Sequence, residues 1–144
     1  MMGGYEIFSG KTAWITGASS GIGEALVFEF VRRGAKVIIS SNDIPGLERV
    51  KAACNERSSN VICAPFDLSD TSGIDKIVER HLKKIGKIDF LINIGGISHR
   101  STIVETPLWL DRKIFEINYF GTIAFTKAVL PFMIRQKSGY IVAT

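Results

Sequence analysis

Cysteine and histidine are scarce in this chain, and the few that occur follow no ligand pattern. Cys54 and Cys63 are the only cysteines, which are too few for a disulfide scaffold and lack metal-binding spacing. His81 and His99 have no carboxylate or second histidine at metal spacing, so surface or loop positions are expected for both. The sequence therefore predicts reduced thiols that serve in packing, a cytoplasmic location and no metal site.

Long apolar runs and runs of like charge are also missing. No window approaches 18 uncharged apolar residues, and residues 1–6 show no basic segment leading into an apolar one, so neither a membrane segment nor a signal peptide is expected. Gly3 is not in second position, so the myristoylation pattern fails too. The net charge of +4 is spread along the chain, which argues against nucleic acid as a partner. A mildly basic surface and an anionic small ligand both remain compatible with this charge.

Composition and periodicity indicate one globular α/β domain. The 144 residues are 46% hydrophobic and 22% charged, which is near average usage for globular proteins. Short β-rich runs alternate with helix-period runs along the whole chain, which predicts βαβ units in a mostly parallel sheet. Strands are expected at 12–16, 36–40, 61–66, 89–94 and 140–144. Helices are expected at 21–33, from just after Pro45 to about 56, from a cap at 69–71 to 85, and at 110–135.

The helix patterns also predict which side chains are buried. In the first helix, Ile22, Leu26, Phe30 and Val31 lie on one face, and Gly34 ends the helix. The long helix at 110–135 carries apolar residues at helical spacing: Ile114, Ile117, Phe120, Gly121, Ala124, Phe125, Ala128 and Val129. Each set is expected to form an apolar face of its helix.

A glycine-rich loop is the most informative motif. Residues 16–23 read Thr-Gly-Ala-Ser-Ser-Gly-Ile-Gly, and they follow a short apolar strand and open a helix. A helix N-terminus offers free N–H groups and a positive dipole end, which suit a pyrophosphate. The spacing G-x-x-x-G-x-G only half fits the generic dinucleotide fingerprint. A tight strand-to-helix turn is the simpler alternative.

These residues resemble the N-terminal part of a short-chain dehydrogenase/reductase, a family of NAD(P)-dependent oxidoreductases with a Rossmann-type doubly wound parallel sheet. Residues 16–23 meet the family's T-G-x-x-x-G-x-G motif, and Asp67-Leu68 meets its Asp-Leu after the third strand. At 93–96 the family's Asn-Asn-Ala-Gly is replaced by Asn-Ile-Gly-Gly. The stretch 95–101 is similar to the subgroup around dehydrogenase/reductase member 7, which implies reduction of lipophilic carbonyl compounds.

The resemblance implies roles for individual residues. Asn118 matches the family's catalytic-helix asparagine, which holds a water for the proton relay. Ser98 and Arg100 are candidates for the substrate cleft, with a plain loop equally open. The residues assigned to the cofactor are Gly17, Ser19, Ser20, Gly21, Ile22, Gly23, Ser41, Asn42, Asp67, Leu68, Asn93 and Gly95. Asp67 has turn capping as its alternative, and Asn93 has bonding to neighbouring backbone.

The cofactor is expected to be NADP or NAD. Ser41 stands where the family's NAD-specific Asp would be, and Asn42 stands where an NADP-specific Arg often lies, so the absence of Asp favours NADP slightly.

Part of the family's catalytic apparatus is not found in this sequence. The family uses a Ser and a Tyr-x-x-x-Lys, but Tyr119 is followed by Ile123 and Tyr140 by Thr144 at the Lys position. Residues 1–144 are therefore interpreted as a Rossmann domain that is truncated after the fifth strand and lacks the C-terminal strands and helices. Three functions remain open: part of an oxidoreductase acting on a small carbonyl or alcohol substrate, a non-catalytic dinucleotide-binding module, or a non-functional fragment. The resemblance also implies a homo-oligomer for a full-length member.

Overall fold

Five parallel strands form the central sheet in the computed structural model, which describes residues 7–144. The spatial order is β3-β2-β1-β4-β5, and every neighbouring pair is parallel. The strands are β1 Thr12–Thr16, β2 Lys36–Ser40, β3 Val61–Cys63, β4 Phe90–Asn93 and β5 Tyr140–Ala143. The predicted doubly wound parallel sheet is confirmed. The N-terminal residues 1–6, in which no leader pattern was found, lie outside the described residues.

Helices cover both faces of this sheet. They are α1 Gly21–Arg32, α2 Ile44–Ala53, α3 Ile74–Ile85, α4 Leu108–Phe115 and α5 Thr122–Gln136. A 3₁₀ turn, Asn55–Asn60, follows α2, and a π-helical segment, Glu116–Gly121, joins α4 to α5. Because alternate strand residues face opposite sides of a sheet, β1 supplies both core layers. Ala13 and Ile15 pack with α1 and α2, whereas Trp14 packs with α3 and α5.

Two residues of the predicted apolar faces are exposed in this structure. Ile22 is 66% exposed and Phe120 is 53% exposed. The buried stripe of α1 is instead Gly23, Val27, Phe30 and Val31. The close approach of Gly23 to the glycine loop turns α1 so that the side chain of the preceding residue points outward.

Several predicted boundaries also differ from the structure. Strand β3 ends at Cys63. Helix α2 begins at Ile44, so Pro45 lies in its first turn and not in the loop before it, and α2 ends at Ala53 with a 3₁₀ turn after it. The segment 69–71 does not cap α3, whose N-cap is Gly73 at φ +81°. Asp67 and Asp70 instead accept hydrogen bonds from backbone N–H groups two residues ahead, which forms turns before the helix begins. Gly34 has φ +88° just beyond the end of α1, as predicted.

The chain from 108 to 136 is one continuous helical segment. By length and composition alone, this segment is apolar enough to cross a membrane. In this structure it packs Phe125, Val129 and Met133 against the sheet. The absence of a membrane segment therefore stays a prediction. At the sheet edge next to it, all four residues of β5 are exposed.

Candidate functional site

A cleft of about 400 Å³ opens at the carboxyl ends of β1, β2 and β4. Strand β1 lies between β2 and β4, so the chain reverses direction across the sheet here, and ligands of doubly wound sheets bind at such points. Except for Gly23 and Asn93, the predicted cofactor residues all line this cleft. Their role in binding remains a prediction. Ser98 and Arg100 are not among the lining residues in the described part of the chain.

Several lining residues were not singled out in the sequence. They are Ser40, Asp43, Phe66, Ile94, Gly96, Ile97 and Ile117. Ser40, Phe66 and Ile94 are the last residues of predicted strands, and Asp43, Gly96 and Ile97 follow a predicted strand end within three residues, so the strand ends were the signal for them. Ile117 has no such signal, because only the packing of the long helix brings it to the cleft.

The three glycines of the loop have different physical reasons to be glycine. Gly17 has φ +64°, and a Cβ there would lie 2.7 Å from the Cα of Gly95, so it allows two loops to touch. A Cβ on Gly23 would overlap the backbone of Gly17, so it lets α1 pack against the loop. Gly21 has φ +56°, and a Cβ there would meet no atom within 4 Å. Gly21 alone of the three opens onto free space.

The start of α1 fits an anionic group. The first N–H groups of any helix lack intrahelical acceptors. Ser20 is the N-cap of α1, and among the described residues its side chain makes no capping hydrogen bond. Because Gly21 and Ile22 line the cleft at this helix end, N–H donors and the positive helix dipole are directed toward it. The loop therefore has the donors and the space that a pyrophosphate requires.

Thr16 and Asn93 support the cleft floor. The Thr16 hydroxyl oxygen accepts hydrogen bonds from the N–H groups of Ile94 at 3.1 Å and Gly95 at 3.0 Å, which ties β1 to the loop after β4. The Asn93 amide donates to the Thr126 hydroxyl at 3.1 Å and so links β4 to α5. Its oxygen is buried and has no hydrogen-bond partner within residues 7–144.

The end of the cleft near β2 is polar and carries two carboxylates. The Ser19 and Ser41 hydroxyl oxygens lie 3.0 Å apart, and the Asp43 N–H donates to Ser41 at 3.1 Å. Asn42 donates to the Asp67 carboxylate at 3.3 Å. Hydrogen bonds from the backbone and hydroxyl of the nearby Ser69 hold the pKa of Asp67 below its usual value. Asp67 is therefore a capping carboxylate that also lines the cleft.

Asn118 lies in the π-helical segment and binds the loop after β4. Its amide donates to the Ile97 carbonyl at 2.8 Å, and its oxygen accepts from the Ile97 N–H at 2.8 Å. Both polar ends of the side chain are thus engaged by one backbone residue. The side chain positions the loop, and its place in a proton relay stays a prediction. π-Segments of this kind are frequent at functional sites.

In the part of the chain that the structure describes, the scarce cysteines and histidines are not among the residues that line the cleft. The His81 ring nitrogen Nδ1 lies 2.8 Å from the Ile77 carbonyl in its own helix. Burial raises the pKa of the Cys63 thiol to about 11, with the Glu48 carboxylate adding to the effect. Within residues 7–144, no group of three or more His, Cys, Asp or Glu side chains could hold a metal ion.

Curated proteins with similar sequences are dehydrogenase/reductases. The chain is 42% identical over 133 residues to Dehydrogenase/reductase SDR family member 7 of Homo sapiens, covering 90% of this chain and 39% of that protein. It is 43% identical over 140 residues to Dehydrogenase/reductase SDR family protein 7-like of Anopheles gambiae, covering 94% and 44%. The chain thus spans less than half the length of these relatives.

Solved structures agree in fold. A short-chain dehydrogenase from Streptomyces avermitilis superimposes with a TM-score of 0.84 and 32% identity, over 92% of this chain and 48% of that one. ElxO with NADP bound gives a TM-score of 0.86 and 28% identity, over 92% and 54%. The profile of the short chain dehydrogenase family matches residues 11–144. The chain therefore belongs to the short-chain dehydrogenase/reductase family, and within it is similar to the member 7-like proteins.

Proposed function

We propose that residues 7–144 form the cofactor-binding part of an NAD(P)-dependent oxidoreductase. The observation that carries this proposal is the cleft at the start of α1, where Gly21 opens onto free space beside uncapped N–H groups. The ElxO structure named above holds NADP and shares the fold of this chain, which supports a nicotinamide cofactor. Residues 17–22 would hold the pyrophosphate, and Ser41, Asn42 and Asp67 would border the adenosine.

The reaction is hydride transfer between the cofactor and a small carbonyl or alcohol compound. A developing alkoxide needs a proton or fixed donors, and a positioned Tyr with a nearby Lys supplies these in the family. No Tyr in the 144 residues has Lys four positions later. We therefore assign the proton donor to residues outside this sequence, in a longer protein of the length that the curated relatives have.

Cofactor titration with two matched glycine variants tests the proposal. Gly21 and Gly73 both have positive φ and open space around an added Cβ, but only Gly21 lines the cleft. Both alanine variants should lose about 1 kcal/mol of stability from the left-handed backbone. G21A should weaken NADPH binding about tenfold, and G73A should leave it unchanged. Absence of saturable NADPH and NADH binding by the unmodified chain would overturn the proposal.

A non-catalytic dinucleotide-binding module is the second candidate. The observation that favours it is the cleft itself, whose lining residues would contact a dinucleotide without taking part in the chemical step. The native protein distinguishes the two. Cofactor binding together with carbonyl reduction by the native protein supports the oxidoreductase, and binding without reduction supports the module.

The proposal includes a homo-oligomer. The helix from 108 to 136 exposes large apolar side chains, among them Trp109 at 64%, Phe115 at 62% and Ile134 at 64%. Exposed apolar surface of this kind commonly marks an interface. Light scattering on the native protein should give a mass that is a multiple of the single chain.

A further inference from the structure

Arg49 of α2 contacts the glycine loop from outside the cleft. Its guanidinium Nη2 donates to the Ser19 carbonyl at 2.8 Å. Its Nη1 and Nη2 also donate to the two carboxylate oxygens of Glu24, at 2.7 and 2.9 Å. Ser19 lines the cleft and its hydroxyl contacts Ser41. Arg49 therefore forms a bidentate ion pair with Glu24 of α1 and, through Ser19, lies next to the end of the cleft near β2.

The charges that line the cleft are unfavourable for a phosphate in addition to the pyrophosphate. Asp43 and Asp67 are carboxylates among the lining residues, and none of the lining residues in the described chain is Lys or Arg. NADP differs from NAD by a 2′-phosphate, which would lie among these carboxylates without an opposite charge. A cation brought from beyond the lining residues would therefore favour NADP in this cleft.

Arg49 is placed to supply that cation. The hydrogen-bonded Glu24 carboxylate raises the pKa of Arg49, and the charge of Asp43 in the cleft wall adds weakly to the same effect. The Arg49 side chain is 57% exposed, so it has room to reorient, whereas Glu24 is 20% exposed. A guanidinium fork binds a phosphate in the same bidentate way that it binds a carboxylate. Glu24 and a 2′-phosphate would therefore compete for the same N–H groups.

We propose that the Glu24–Arg49 ion pair sets the preference of this cleft between NADP and NAD. Glu24 competes with the 2′-phosphate for the guanidinium and so reduces, without abolishing, what NADP gains from the positive charge. When Glu24 releases it, Arg49 turns to the 2′-phosphate. The inference rests on the proposed cofactor function, because it names the specificity-determining pair of the same cleft.

The test is the ratio of the dissociation constants for NADP and NAD, measured by calorimetry. E24Q removes the competing charge and should tighten NADP about threefold to tenfold relative to NAD. R49Q should weaken NADP about tenfold and leave NAD within about twofold, since a charged hydrogen bond to phosphate is lost. R49K keeps the charge without the fork and should lie between the two.

A matched control comes from α3, where Lys83 and Glu79 form an exposed ion pair 2.6 Å apart. E79Q should change neither dissociation constant. Urea unfolding of each variant separates loss of binding from loss of folding. The inference would be overturned if the ratio of the NADP and NAD dissociation constants stayed within twofold of the unmodified chain in both E24Q and R49Q. Equal weakening of both cofactors by R49Q would overturn it too. The ion pair would then serve only to connect α2 with the glycine loop. Failure of the unmodified chain to bind either cofactor would overturn the proposed function, and this inference with it.

Discussion

Replacement of Gly23 by alanine should destabilise the protein more than the same change at Gly21. A Cβ on Gly23 would overlap the Gly17 carbonyl and lie 2.7 Å from its carbon, so backbone atoms must move. Overpacking that shifts backbone costs about 3 kcal/mol. At Gly21 the added methyl meets nothing within 4 Å, and only the left-handed φ is strained, which costs about 1 kcal/mol. The expected difference between the variants is therefore about 2 kcal/mol.

Thermal unfolding followed by circular dichroism measures this difference. For a domain of about 150 residues, each kcal/mol lowers Tm by about 2–4 °C, so G23A should fall by about 6–12 °C and G21A by about 2–4 °C. Cofactor affinity should not follow this order of stabilities, because the added methyl group of G21A fills the open space where the pyrophosphate is expected. A Tm for G23A equal to or above that of G21A would refute the packing role assigned to Gly23.

Three further substitutions test the polar contacts. S40A should lower the free energy of unfolding by about 2 kcal/mol in urea, because the buried Trp14 indole N–H and Ala64 carbonyl, 2.8 and 2.6 Å from that hydroxyl, lose their partner. N118A should speed hydrogen exchange in the loop after β4 and lower global stability by about 1 kcal/mol or less, since both lost hydrogen bonds lie at an exposed site. At Asp89, burial opposes ionisation, but hydrogen bonds from the neighbouring lysine and backbone outweigh it and hold the pKa below its usual value. D89N should therefore lower the free energy of unfolding by about 1–3 kcal/mol at pH 7. This loss relative to the unmodified protein should persist down to about pH 4, the pKa of Asp89 in the unfolded chain, and should shrink as the pH falls through the lower pKa of Asp89 in the folded protein.

Each of these has an outcome that contradicts it. S59A changes an exposed serine and serves as the control for S40A, so equal stabilities of the two variants would contradict the buried network. Unchanged exchange at the Ile97 amide in N118A would show that Asn118 does not hold the loop. A D89N deficit that remains constant down to pH 2 would show that ionisation of Asp89 does not contribute to stability.

The order of elements was predictable because its signals are local. Strands β1 and β2 have the predicted bounds, since a run of buried, β-rich residues ends at a polar or glycine residue in each case. The glycine loop was also identifiable, from its glycines together with the strand before it and the helix after it. The predicted start of α3 failed because Asp67 and Asp70 form side-chain turns before the helix begins. Several conformations compete at such sites with small energy differences.

The sequence by itself determined the alternation of strands and helices and the position of the loop between β1 and α1. Hydrophobic periodicity and the backbone freedom of glycine depend on a few neighbouring residues, so both can be recognised in the sequence. Only the tertiary structure decided that Gly23 packs against Gly17 while Gly21 faces open space, and that Asn118 binds the backbone of Ile97. It also decided that Arg49 reaches the loop 30 residues earlier. These outcomes depend on the distances between residues far apart in the chain, which are set only when the helices pack on the twisted sheet.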